Sequence, residues 1–128
     1  MGFFTNLLRK GDLDFLHGES LSSKFSIIVN TLNNYAFDEK GDITTTSERS
    51  FNIYPKAIES NQIIHFFYQM DILTIQWSFK FYQKEIVHKK DILKVKNLSI
   101  FEQTKIANTM ISEMENVVEK HKRDVMNF

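Results

Sequence analysis

Residues 73–90 read LTIQWSFKFYQKEIVHKK. Leu73, Ile75, Trp77, Phe79 and Phe81 alternate with Thr74, Gln76, Ser78, Lys80 and Tyr82. That is the period of a strand with one buried face. Burying the five apolar residues contributes roughly 8–15 kcal/mol before entropy costs, at about 1.5–3 kcal/mol each. The whole stretch does not fit one strand. Ile72 to His88 would run about 56 Å at roughly 3.3 Å per residue. A chain of this length folds to a diameter of about 36 Å. Parity breaks as well, because Gln83 and Glu85 stand where the apolar residues stood through Phe81. A bulge or turn at Gln83–Glu85 resolves both conflicts and leaves a shorter strand at Ile86–Ile92.

Upstream, Gln62–Met70 (QIIHFFYQM) reads as a strand near the sheet centre, since both of its faces are partly apolar. A helix over 55–70 is the competing reading. Ser50–Tyr54 (SFNIY) is another strand, ended by Pro55. Residues 56–61 form a connection or one helical turn. Asp38-Glu39-Lys40-Gly41 has turn chemistry, with Gly41 available for positive φ, and its β-prone flanks predict a hairpin. Residues 20–34 form a helix with Ser20 as N-cap, and Asn33-Asn34 lead out of it. Residues 3–10 can make a short amphipathic helix through Phe3, Phe4, Leu7 and Leu8, with 11–19 as a loop. Downstream, Ser99 and Glu102 make a capping box. The helix it opens runs to Arg123, about 37 Å. Its stripe takes in Ile100, Phe101, Ala107, Met110, Ile111, Met114, Val117, Val118 and Val125. The expected fold is α+β: an antiparallel sheet of five or six strands, an N-terminal helix, and a long C-terminal helix across the sheet.

The 128 residues suit a single domain, 1–128. Hydrophobic residues make up 42% and charged residues 25%, which excludes a disordered chain. Twelve Phe imply a core of flat, bulky side chains. With no Cys there are no disulfides and no thiolate metal sites, and a reducing, cytoplasmic setting fits. MGFFTNLLRKGDLDF places its basic residues after the apolar ones, the reverse of a signal peptide. Net charge is zero, which argues against a dedicated nucleic-acid protein. The charge is nevertheless divided. Residues 11–71 hold nine acids and four bases, whereas residues 72–128 hold ten bases and seven acids. Opposite patches on one molecule favour self-association.

No catalytic or cofactor signature appears, so no catalytic, cofactor-binding or metal residues are assigned. His17, His65, His88 and His121 lack metal-ligand spacing, and although His65 and His88 could meet across strands, nothing in the sequence requires it. Asp38–Asp42 lacks the alternate ligands of a calcium loop. Thr44, Thr45, Thr46 and Ser47 form no nucleophile elbow. The one candidate surface is the basic stripe Lys80–Lys96: Lys80, Tyr82, Lys84, Lys89 and Lys90 would meet a partner. As a nucleic-acid site it offers a single aromatic, Tyr82, where stacking platforms present several.

The order helix, then YAFDEKGDITT, then SFNIY at residues 20–54 loosely resembles the opening of the YbjN family and of related type III secretion chaperone-like domains. That resemblance implies a small α+β protein that dimerises and binds other proteins without catalysis. Three functions therefore stand in order of preference. The first is a non-catalytic, cytoplasmic protein-interaction module, chaperone-like and homodimeric. The second is a small-ligand carrier or enzyme with an aromatic-lined cavity between the sheet and the last helix. The third is nucleic-acid binding along the lysine stripe.

Overall fold

A computed structural model describes residues 13–16, 18–56 and 61–126. Five strands form one antiparallel meander in chain order: β1 (Asp42–Ser47), β2 (Ser50–Tyr54), β3 (Gln62–Gln69), β4 (Ile72–Phe81) and β5 (Lys84–Leu93). Among the described residues a 3-10 turn (Asp14–Leu16) and three α-helices accompany it: α1 (Leu21–Lys24), α2 (Ser26–Phe37) and α3 (Ile100–Met126). The expected helix at 3–10 lies outside the described residues, and so does most of the connection at 56–61.

The break demanded by length and parity is a two-residue turn, Tyr82-Gln83, between Phe81 and its partner Lys84. Tyr82 takes a φ of 58° there. β5 therefore starts earlier than expected and is as long as β4. Met70 (φ 51°) and Asp71 (φ 63°) make the preceding turn, between paired Gln69 and Ile72. Asp71 does more than turn the chain. Its Oδ1 accepts the Lys96 N–H at 2.9 Å and its carbonyl accepts the Val95 N–H, which anchors the segment leading into α3.

Register places Phe51 and Ile53, Ile64, Phe66 and Tyr68, Leu73, Ile75 and Trp77, and Ile86 on one face. All are buried against Ile28, Val29 and Leu32 of α2 and Ala107, Met110 and Met114 of α3. The two methionines are thus core, filling the irregular gap between helix and sheet. No described helix covers the opposite face, which carries Ile63, His65, Phe67, Gln76, Val87 and Lys89. His65 and His88 therefore stand on opposite faces, since His65 is opposite Gln76 while His88 is opposite Trp77.

Three local expectations change. Ser20 caps as expected, its Oγ accepting the Ser23 N–H at 3.2 Å. The helix it starts stops at Lys24, and a second begins at Ser26, because Phe25 leaves helical geometry to bury its ring beside Phe15 and Tyr68. Gln103 of α3 spans that joint: its Nε2 donates to the Lys24 carbonyl at 3.2 Å and its Oε1 accepts from Ile28 N–H at 3.4 Å. Backbone groups orphaned by the break are satisfied from another element. Second, Tyr35-Ala36-Phe37 is the last turn of α2, not a hairpin strand. Asn33 stays helical and reaches forward, accepting the Gly41 N–H at 2.9 Å through Oδ1. Asp38 and Glu39, not Gly41, carry the positive φ values that end the helix. Gly41 is needed for space: a Cβ there would stand 2.5 Å from Ile53 Cγ2 and 2.6 Å from Asn33 Oδ1. Third, Ile100 and Phe101 are 72% and 75% exposed rather than part of the buried stripe. The capping box forms, with Glu102 N–H donating to Ser99 Oγ at 3.1 Å and Ser99 N–H to Glu102 Oε1 at 3.2 Å. The first inward position it creates goes to Gln103, for the reason just given.

Candidate functional site

The sheet and α3 diverge at the end of the molecule where β3 begins and β4 finishes. They leave an open cleft of about 430 Å³ there. Its floor is Trp77 and Phe79 of β4, one wall is Tyr35 of α2, and the other is Met114, Glu115, Val118, Glu119 and Lys122 of α3. That volume lies in the range of sites for small organic ligands, roughly 300–1,000 Å³. The sequence places this cleft only indirectly. Phe79 continues the apolar alternation of β4 and packs against the core, yet it stays half-buried and lines the opening.

A chain of hydrogen bonds holds the cleft in shape. Trp77 Nε1 donates to Gln62 Oε1 at 2.9 Å, and Gln62 Nε2 donates to the Ala36 carbonyl at the end of α2, also at 2.9 Å. The Tyr35 ring stands edge-on to Trp77 with centroids 5.9 Å apart. Its hydroxyl donates to Glu115 Oε1 at 2.7 Å. That bond to a carboxylate, helped by desolvation and by the carboxylate's charge, pushes the Tyr35 pKa up to about 12. Tyr35 thus keeps its proton at neutral pH and stays available as a hydrogen-bond donor to Glu115. Lys122 holds its ammonium 5.4 Å from the Phe81 ring at the rim. With Glu115 and Glu119 on the same wall, the cleft carries one net negative charge.

The five residues expected to form a basic surface are divided by the sheet. Lys80 lies opposite Glu85, on the uncovered face that also bears Lys89. Lys84 and Lys90 point to the helix side, and Tyr82 stands at the turn, 80% exposed. Lys90 is committed to α3, its Nζ lying 2.9 and 3.2 Å from the two Glu113 oxygens, with His88 Nε2 at 3.2 Å from the same carboxylate. The lysine hydrogen bond is the main reason the Glu113 pKa falls below its ordinary value. On the uncovered face, His65 Nδ1 meets Asn52 Oδ1, and Asn52 Nδ2 donates to Tyr54 Oη at 3.0 Å. Partial burial lowers the pKa of His65. Among the described residues no cluster of three or more His, Cys, Asp or Glu side chains is arranged to hold a metal, and no helix is long and apolar enough to cross a membrane. Compared with protein families, curated proteins and solved structures, the chain matches none.

Proposed function

We propose that the protein is a non-catalytic binding module that holds an organic cation with an apolar body in the cleft between β4 and α3. The carrying observation is the cleft's composition: Trp77, Phe79 and Tyr35 line it with aromatic rings, and Glu115 and Glu119 supply negative charge beside them. Aromatic rings near a carboxylate attract ammonium and guanidinium groups more than neutral groups of the same shape. The aromatic wall is held by the hydrogen bonds from Trp77 to Gln62, from Gln62 to Ala36 and from Tyr35 to Glu115, and preorganisation of this kind favours binding.

The same chemistry reaches the cleft either on a small free molecule or on an Arg or Lys side chain of another protein, and one experiment separates the two. Trp77 is the single Trp, so its fluorescence reports occupancy directly. Benzyltrimethylammonium, the dipeptide acetyl-Phe-Arg-amide and neutral benzyl alcohol serve as probes. Saturation by the free cation, absent with benzyl alcohol and lost in Val118→Trp by near-UV circular dichroism, supports a small-molecule binder. Saturation by the dipeptide alone supports recognition of a protein side chain. No saturable change with either cation, or an equal response to benzyl alcohol, overturns the proposal.

A further inference from the structure

The strand β5 is the last in the sheet, and among the described residues nothing pairs with its outer side. The direction of its backbone groups follows from one hydrogen bond. Lys80 N–H donates to the Asn61 carbonyl at 2.8 Å, away from β5. Lys80 and Glu85 are therefore a non-hydrogen-bonded pair, and alternation turns the N–H and C=O of Glu85, Val87, Lys89, Asp91 and Leu93 toward the unpaired edge. Their side chains stand on the uncovered face. Two of them are large and apolar: Val87 is 45% exposed and Leu93 is 63% exposed.

We propose that β5 pairs with β5 of a second copy of this chain, antiparallel, about a two-fold axis at Lys90. Residues opposite one another in an antiparallel pair share a face. With the axis at Lys90, Lys89 of each copy faces Asp91 of the other, and Val87 of each faces Leu93 of the other. Both exposed apolar residues and both opposite charges find complements twice over. Other centres match the charges and the two apolar residues less well. An axis at Val87 sets Lys84 against Lys90, one at His88 sets Glu85 against Asp91, and axes at Lys89 or Asp91 set each against itself. Centres nearer the strand ends leave only short overlaps.

Lysines on an edge strand ordinarily discourage pairing. Here the two inside the paired stretch, Lys89 and Lys90, each have a carboxylate partner. Lys90, which meets its own copy at the axis, already holds Glu113 of its own chain at 2.9 Å. Lys89 gains Asp91, whose carboxylate is oriented by the Thr74 hydroxyl at 2.7 Å. The contact is independent of the cleft, because no β5 residue lines it.

Strand-edge pairing of this length lies at the small end of specific interfaces, so sedimentation is measured at about 100 µM and low salt. The expected mass is twice the 15.1 kDa of the chain. Lys89→Asp or Asp91→Lys alone lowers the association constant about tenfold by turning two attractions into repulsions, and the double variant restores it. The chain has no Cys, so introduced thiols report position without background. Lys90→Cys links to itself under mild oxidation, since a non-hydrogen-bonded pair brings Cα atoms to about 4.5 Å. Lys89→Cys links to Asp91→Cys in a mixture, and Val87→Cys alone does not link. A wild-type monomer at this concentration, preferred linkage at another position, or a folded double variant that stays dissociated overturns the proposal.

Discussion

Trp77 joins the core to the cleft. It is 2% exposed, its indole N–H is held by Gln62, and one ring edge opens to the site. Trp77→Ala is expected to cost ~3–5 kcal/mol in urea melts; a loss under about 1 kcal/mol would contradict the burial. Tyr35 and Glu113 make opposite predictions with pH. The Tyr35 pKa in the fold, about 12, lies above its ordinary 10.0. Its contribution is therefore full below pH 10 and is lost as pH rises toward about 12. Absorbance titration at 295 nm should show Tyr35 ionising late among the four tyrosines, and Tyr35→Phe should reduce the late phase by one phenol. The Glu113 carboxyl is held below its ordinary 4.5. Its contribution is present above that pH and is lost as pH falls through the lowered value. Urea midpoints measured from pH 6 down to pH 3 should fall less steeply in Glu113→Gln than in the wild type.

At the scale of elements, what the sequence shows depends on how local the cause is. The alternation of β4, the capping box at Ser99 and the turn forced between β4 and β5 all follow from neighbouring residues, and each is readable in order. The joint at Phe25 is not, because its backbone groups are satisfied by Gln103, far along the chain. Gln103→Leu keeps the volume but removes both hydrogen bonds. It is expected to cost about 1–3 kcal/mol and to speed amide exchange at Ile28; unchanged exchange there would show the joint to be self-sufficient. The end of α2 misleads for a similar reason. Asp-Glu-Lys-Gly reads as a hairpin turn, yet Asn33 bonds across it to Gly41 and draws Tyr35 into the helix. Gly41→Ala must push Ile53 or Asn33 aside and is expected to cost about 1–3 kcal/mol. The cleft was legible only as an aromatic-lined space between sheet and helix. Its carboxylates lie on α3, among charges that read as an ordinary solvated face until the helix direction is known.

At the scale of the molecule, all five strands are joined in chain order, so every strand pair forms between sequence neighbours. Proteins rich in such contacts fold quickly. The seal over the sheet comes from the other end of the chain. Ala107, Met110 and Met114 of α3 close over Leu73, Ile75 and Trp77 only after residue 99. During synthesis, then, the sheet is complete in sequence while the part of its apolar face that α3 covers is still bare. A chain halted at Asn97 should bind hydrophobic dyes and aggregate, whereas the chain through Phe128 should do neither; a nascent-chain series would locate the change at the length where α3 clears the ribosome. The meander thus brings a window of vulnerability during translation, which lasts as long as the ribosome takes to make one helix.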